Sequence, residues 1–215
     1  MFRDMHYQSM KKERKTTGGF SLVEMIVVLG LFSIVSLVVS ENIVTFYRLN
    51  GYTIAQAYQV ETARRGIEQL VQDLREMTYA DDGTFPLVVM EEYKVGFFSD
   101  IDRDDSVEYV EYMLSTTTAT LEKRIFNATG TPKTYNTTGT PDEVNIMSEY
   151  VQNDIQNTPM FVYYDTNGQP ATGATNITDI RYVQMNVIVN IDPIRDPGEF
   201  MLRSSASLRN LKGSL

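Results

Sequence analysis

Residues 20–40 read FSLVEMIVVLGLFSIVSLVVS, and this stretch decides the architecture of the chain. It is 21 residues long and carries a single charge, at Glu24. As an α-helix it would span about 30 Å, which matches the hydrocarbon core of a bilayer. The alternative is a buried helix of a soluble protein, but few soluble cores accommodate so long an apolar run. We therefore predict a membrane-spanning helix over 20–40.

The residues before this stretch predict its orientation. Residues 1–19 contain five Lys or Arg and two acidic residues, whereas the rest of the chain holds 14 basic and 26 acidic residues. A basic flank predicts a cytoplasmic leader, with everything after Ser40 on the outer side of the membrane. A secretory signal peptide, the alternative, has a shorter apolar region that is followed by small residues at its cleavage site. Here Gly18 and Gly19 precede the apolar run, so cleavage beside them would leave the anchor on the mature chain.

Residues 15–35, KTTGGFSLVEMIVVLGLFSIV, resemble the signal shared by type IV prepilins and by the pseudopilins of type II secretion systems. In that family a glycine precedes the cut, a hydrophobic residue follows it, and a glutamate stands at mature position five. Gly19, Phe20 and Glu24 match these positions. The resemblance implies that a prepilin peptidase cuts between Gly19 and Phe20, and that Phe20 is N-methylated. It also implies partners: membrane lipid at first, then an inner-membrane assembly platform and other pilins or pseudopilins, bound through the N-terminal helix.

The position of Glu24 also has a physical rationale. A carboxylate in a membrane helix costs on the order of 2–3 kcal/mol at the bilayer centre and less near its edge. Glu24 would lie only about 6 Å along the helix from the N-terminus created by cleavage, at the positive end of the helix dipole. In a filament, the cationic N-terminus of one subunit could pair with Glu24 of its neighbour. The alternative is a carboxylate that reaches the membrane surface and has no role in assembly.

Past the membrane segment the apolar residues continue at helical spacing. They recur three and four residues apart and form one stripe: Val60, Ala63, Ile67, Leu70, Val71, Leu74 and Met77. The polar residues between them define the opposite face: Arg64, Arg65, Glu68, Gln69, Gln72, Asp73 and Arg75. We predict one helix over 20–79, preceded by a leader over 1–19 and followed by a globular head over 80–215. A coiled-coil seam is the alternative, although clean heptads are not sustained.

The head has the pattern of short strands. Asp81, Asp82, Gly83 and Pro86 end the helix, and residues 127–142 are rich in the residues of loops. The predicted strands are 87–90, 94–98, 109–114, 121–126, 160–164, 180–191 and 200–211, with a turn at 165–168 and a short helix over 143–153. The predicted fold class is therefore α+β and pilin-like, with the long N-terminal helix packed against a mainly antiparallel sheet.

An acidic segment between two predicted strands is a candidate calcium site. Three carboxylates alternate, and two more follow at the ninth and twelfth positions of the segment: Asp100, Asp102, Asp104, Glu108 and Glu111. Hard oxygen ligands at such spacing suit Ca²⁺. The segment departs from an EF-hand because Asp105 replaces the glycine at the sixth position and the flanks resemble strands. The alternative is an acidic hairpin turn that keeps the end of a sheet soluble.

Composition argues against several other functions. The chain has no cysteine, and its single histidine is His6 in the leader, so thiolate zinc sites and a Ser-His-Asp triad are impossible in a mature chain. The acidic balance disfavours nucleic acid as a partner. No glycine-rich phosphate loop is present. We therefore expect a protein that is not an enzyme and that needs no cofactor, with calcium as the one candidate.

The head resembles the J-type minor pseudopilins and related minor pilins in four segments: FFSDIDRDDSVEYVEYML, FVYYDTNGQP, DIRYVQMNVIVNID and RSSASLRNL. This resemblance implies a minor subunit at or near the tip of a type II secretion pseudopilus. The subunit would first span the bacterial inner membrane with its head in the periplasm. A minor type IV pilin, active in pilus assembly, adhesion or DNA uptake, is the alternative. A membrane-anchored binding protein or enzyme is the third class.

Overall fold

The computed structural model describes residues 18–104, 106–171, 176–192, 194 and 198–208. The chain divides after Asn50 into two compact units, residues 1–50 and 51–215. The described residues form one α-helix, eight strands and one short 3₁₀ helix. In chain order these are α1 (Leu22–Glu76), β1 (Leu87–Glu91), β2 (Lys94–Ser99), β3 (Glu108–Ser115), β4 (Thr120–Phe126), β5 (Glu143–Ser148), β6 (Phe161–Asp165), the 3₁₀ helix (Ile177–Asp179), β7 (Ile180–Val189) and β8 (Phe200–Ser207).

Helix α1 contains the apolar stripe that the sequence predicts, and its bounds, Leu22–Glu76, fall within the predicted range of 20–79. In the second unit the stripe is buried at Ala63, Ile67, Leu70 and Leu74, where it packs into the main hydrophobic core with side chains of the strands. The predicted end, at residue 79, is three residues late. The backbone N–H of Thr78 donates to Phe98 O at 3.0 Å, so the chain has already left the helix to bond with β2.

The strands form two antiparallel sheets. The first has the order β1-β2-β3-β4-β5, which is a meander in which each strand pairs with the next along the chain. The second has the order β6-β7-β8. The sequence predicts a helix packed against antiparallel strands, and this α+β class is confirmed. The division into two sheets is a feature that the strand pattern by itself does not contain.

The predicted short helix over 143–153 is wrong. Residues Glu143–Ser148 form β5, the edge strand of the first sheet, in which Arg124 of β4 faces Val144 and Glu122 faces Ile146. The β-branched side chains of Val144 and Ile146 suit a pleated strand. Pairing with β4 supplies backbone hydrogen bonds that a short isolated helix would have to form by itself.

Helix α1 contacts both sheets through close packing and side-chain hydrogen bonds. Gly66 faces β5 so closely that an added Cβ atom would lie 2.7 Å from Met147 O. At β7, the amide of Gln56 donates to Val189 O at 3.2 Å and accepts from Ile191 N at 3.0 Å. Gln56 is buried, so these bonds satisfy its polar atoms and tie the helix to the end of β7.

Candidate functional sites: the N-terminal segment and the acidic loop

The predicted processing site lies just before α1. Gly18, Gly19 and Phe20 are not helical and are exposed, and Phe20 keeps 73% of its surface accessible. A Cβ atom built on Gly19 meets nothing within 4 Å. The fold therefore places no steric demand for glycine at this position, and a requirement for glycine would have to come from an enzyme that reads the site. The arginines and lysines of the predicted leader lie outside the described residues.

Glu24 lies in the first turn of α1, where a carboxylate interacts favourably with the helix dipole. Its backbone N–H approaches Ser21 Oγ at 3.3 Å, so Ser21 contributes to capping the helix. The Glu24 side chain is exposed and forms no ion pair or hydrogen bond within the described part of the chain. It is thus available for a cation that another molecule supplies.

The first half of α1 presents an apolar surface on all sides. The helix is long and apolar enough to cross a membrane, with a mean hydropathy of 2.7 in its most apolar 18-residue window, none of which is buried. Exposed members of this surface include Leu22, Ile26, Leu29, Phe32, Ile34, Val35, Leu37, Ile43 and Phe46. Exposure of a contiguous apolar surface of this length to water is unfavourable, so we expect lipid or other helices to cover it.

The acidic loop brings together three of the five predicted calcium ligands. Carboxylate oxygens of Asp100, Asp102 and Glu108 all lie within 4.8 Å of one another. Glu108 opens β3 and is only 4% exposed, and its Oε2 accepts from Ile101 N at 2.9 Å. This hydrogen bond joins the start of the loop to the first residue of β3. Oxygen ligands grouped in this way are the type that Ca²⁺ prefers.

The structure places the other two predicted ligands elsewhere. Asp104 accepts a hydrogen bond from the backbone N–H of Ser106 and stabilises the turn. Glu111 lies farther along β3, opposite Gly96, and forms an ion pair with Lys94 of β2. An EF-hand-like set that includes Glu111 is therefore not assembled in this conformation. Calcium binding by Asp100, Asp102 and Glu108 stays a prediction.

The environment of Glu108 disfavours the ionised form of its carboxylate. Burial raises the pKa of Glu108 above its usual value, and the charges of Asp102 and Asp104 raise it further, against the lowering effect of the Ile101 N–H. A low-dielectric environment and like charges both disfavour the ionised form of a carboxylate. A bound cation would relieve both effects.

The sequence places Asp73 on the polar face of α1, and this prediction is wrong. Asp73 is 7% exposed, and its Oδ2 lies 2.7 Å from Lys123 Nζ and accepts from Tyr112 Oη at 2.6 Å. The alternation in β4 places Lys123 on the face that covers the helix, between the buried Leu121 and Ile125. A lysine at a core position of a strand is the one signal that could have revealed a buried partner.

Comparison with known proteins adds one finding. A family model described as the prokaryotic N-terminal methylation motif matches residues 14–40. Neither a curated protein nor a solved structure matches the chain. The matched segment contains Gly19, Phe20 and Glu24 and ends within α1, before the head begins.

Proposed function

We propose that this chain acts as a minor pseudopilin of a type II secretion pseudopilus. Its N-terminal methylation motif supports a subunit of the type IV pilin and pseudopilin class. The observation that carries the proposal is the motif over residues 14–40, in which Gly18, Gly19 and Phe20 are exposed and lead into an apolar helix. The pilin-like class rests on the motif itself. The specific secretion role rests on the resemblance of the head to J-type minor pseudopilins.

The proposed maturation begins at the exposed Gly19–Phe20 bond. A prepilin peptidase removes the basic leader, and a methyl group is added to the new amino group of Phe20. Glu24 then lies about 6 Å along the helix from this cationic terminus. The helix remains in the bilayer with its apolar surface covered by lipid until the assembly platform adds the subunit to the filament.

Assembly exchanges lipid contacts for contacts between helices. Because lipid tails are as apolar as the helix surface, packing and polar contacts rather than the hydrophobic effect decide the association. Glu24 has no partner of its own within the described residues, and it lies among exposed apolar side chains. Pairing with the N-terminus of a neighbour would satisfy the charge at one axial offset only, so Glu24 would select the register of the added subunit.

The size of the mature chain supports a minor subunit. Removal of residues 1–19 leaves 196 residues, whereas the major subunits of these filaments are commonly shorter. A position at or near the tip agrees with this size, since a large head at the tip needs no room for subunits above it. The head is a sheet-rich domain built on the second half of α1.

The alternative is a minor type IV pilin, which would share the signal, the processing and the apolar helix. The two functions differ in the genes that accompany them. A secretin, a secretion ATPase and four other pseudopilins would indicate type II secretion, and a retraction ATPase with a major pilin would indicate a pilus. We propose a structural role rather than catalysis in either case.

The experiment that tests the proposal is intact mass analysis and N-terminal sequencing of the membrane-extracted protein, from cells with and without prepilin peptidase. We expect a chain that begins at methylated Phe20 only when the peptidase is present. Gly19→Ala should leave the precursor uncut, because the site is read by the enzyme and not by the fold. A chain that keeps its leader in both strains, or one cut after Ser40, would contradict the proposal.

A further inference from the structure

Ser21 lies at the junction between the exposed segment that precedes α1 and the helix itself. Its backbone oxygen accepts from Met25 N at 3.1 Å, a bond that opens the helical ladder, and its Oγ accepts from Glu24 N at 3.3 Å. A residue that makes both contacts is the N-cap of the helix. Residues 18–20 precede this cap and are not helical. The side chain of Ser21 therefore marks the point at which α1 begins.

Ser21 and Glu24 have the spacing of a capping box, in which a serine and a glutamate three residues later bond to each other's backbone N–H groups. Only one half of the box is formed. Ser21 Oγ accepts from the backbone of Glu24, whereas the exposed Glu24 side chain makes no hydrogen bond with the part of the chain that the structure describes. The cap thus depends on the Ser21 hydroxyl and a backbone N–H, and the Glu24 carboxylate is left for another partner.

The cap decides where the helix starts, because packing does not. A Cβ atom built on Gly18 or Gly19 meets nothing within 4 Å in the described structure, so no tertiary contact holds these residues outside the helix. Serine caps helices better than glycine does, and glycine caps them far better than alanine. If the Ser21 side chain is removed, Gly19 becomes the best cap near the start of α1, and the helix extends to Phe20.

Such an extension would bring the Gly19–Phe20 bond, which the proposed peptidase cuts, to the first turn of the helix. Proteases cut exposed segments of irregular backbone in preference to helices. When opening and closing are fast, the rate of cleavage follows the population of the open form. A helix that starts at Phe20 would therefore withdraw the bond, whereas one that starts at Leu22 leaves it accessible.

We propose that Ser21 is a positioning residue for the processing of this chain. Its side chain stops α1 at Leu22 and holds Gly19 and Phe20 in the open conformation that the peptidase binds. This inference rests on the proposed function and deepens it, since it divides the capping box into two roles. The Ser21 hydroxyl serves cleavage, and the Glu24 carboxylate serves the later assembly step.

The test uses the full-length precursor in detergent micelles and purified prepilin peptidase. Ser21→Ala raises KM about two- to fivefold with kcat unchanged, because only the open fraction of the substrate binds. Ser21→Asn restores the native KM, since asparagine caps a helix as well as serine but has no hydroxyl. The control is Ser33→Ala, which keeps the native kinetics because Ser33 Oγ donates to Leu29 O within α1 and caps no helix end.

The conformation is measured on the same precursors with ¹³C at Gly19 and Phe20. The Cα chemical shifts of both residues move toward helical values in Ser21→Ala and not in Ser21→Asn. Equal KM values for the native chain and Ser21→Ala overturn the inference. So does a failure of Ser21→Asn to restore KM, since the peptidase would then read the hydroxyl itself.

Failure of the proposed function gives a different result. In that case the peptidase does not cut the native precursor after Gly19, and the inference fails with the function on which it rests. If the native precursor is cut and Ser21→Ala is cut with the same kinetics, the inference alone fails.

Discussion

Lys123 Nζ of β4 lies 2.7 Å from Asp73 Oδ2 of α1, and the two side chains are 2% and 10% exposed. The hydroxyl of Tyr112 donates to the same oxygen at 2.6 Å. A cation and a carboxylate taken out of water cost free energy unless each satisfies the other. The pair therefore favours one register of the helix on the first sheet, since a shift of the helix would leave both charges buried and unpaired.

Replacement of Lys123 by methionine should destabilise the head by about 3–5 kcal/mol, because Asp73 would stay buried with its charge uncompensated. Urea unfolding in detergent, followed by the near-ultraviolet circular dichroism of the tyrosines, measures the change. Arg124→Met is the control: this neighbouring residue pairs with Glu122 at 2.8 Å on a more accessible site and should cost about 1 kcal/mol. The double variant Asp73→Leu with Lys123→Met should recover most of the stability. Equal costs for Lys123→Met and Arg124→Met would contradict the role of the buried pair.

Gly66→Ala should destabilise the head although alanine favours helices. The new Cβ atom would lie 2.7 Å from Met147 O and 3.0 Å from Met147 Cβ, so the helix must move away from β5. We expect a net loss of about 1–2 kcal/mol, because the clash exceeds the gain in helix propensity. Gly51→Ala is the matched control, since its Cβ atom would meet nothing within 4 Å; it should gain up to about 1 kcal/mol. Thermal unfolding of both variants in parallel measures the difference. A stabilised Gly66→Ala variant would show that helix and strand are farther apart.

Asp81 should contribute to the acid dependence of stability. The N–H of Val107, 3.1 Å from Asp81 Oδ2, lowers the pKa of Asp81 below its usual 3.8, and Lys133 and Tyr135 lower it further, against the raising effect of burial. Because the folded-state pKa is depressed, the stabilisation is present above the unfolded-state pKa and is lost as the pH falls through the folded-state pKa. Asp81→Asn should therefore flatten the stability profile below about pH 4.

This profile is measured by urea unfolding at several pH values between about pH 6 and pH 2. The control is Asp154→Asn, whose carboxylate makes no hydrogen bond or ion pair with the described residues. The control should keep the acid limb of the native profile. If the profiles of Asp81→Asn and the native protein coincide, the contacts of Asp81 with Val107 and Lys133 do not stabilise the head.

Glu24→Val should leave membrane insertion and cleavage intact and should impair incorporation into filaments. The substitution removes the only acidic residue of the apolar segment over 20–40, and with it the proposed partner for the N-terminus of a neighbour. Sheared filament fractions and membrane fractions, probed for the subunit, measure incorporation. Glu41→Val is the control on the same helix, outside this segment. Normal incorporation of the Glu24 variant would favour a carboxylate that only reaches the membrane surface.

Calcium should stabilise the head if the acidic loop binds it. Oxygens of Asp100, Asp102 and Glu108 within 4.8 Å of one another repel without a cation, and saturating Ca²⁺ at 100 times its dissociation constant would add about 2.7 kcal/mol. Thermal unfolding with and without calcium measures the effect. Glu108→Gln should abolish it, and magnesium should give a smaller effect because it demands stricter octahedral geometry. An unchanged unfolding temperature with calcium would leave the acidic turn as the better interpretation.

The sequence by itself determined the N-terminal half of the protein. Its signals are local: an uninterrupted apolar run over 20–40, basic residues before it, and a glycine next to a phenylalanine. Each of them can be recognised without knowledge of the tertiary structure. The stripe from Val60 to Met77 likewise predicts the buried face of α1, because helical periodicity depends on neighbours three and four residues away. The strands β1 to β4 follow from alternation and from the turns between them.

Only the tertiary structure decided the features that depend on distant partners. Residues Glu143–Ser148 become a strand because β4 offers an open edge, and Asp73 is buried because Lys123 lies opposite, fifty residues later in the chain. The acidic loop brings Asp100, Asp102 and Glu108 together, whereas Glu111 forms an ion pair with Lys94 of the adjacent strand. In each case the competing contact is long-range. A local pattern records which chemistry a residue offers, whereas the packed chain determines which partner that residue meets.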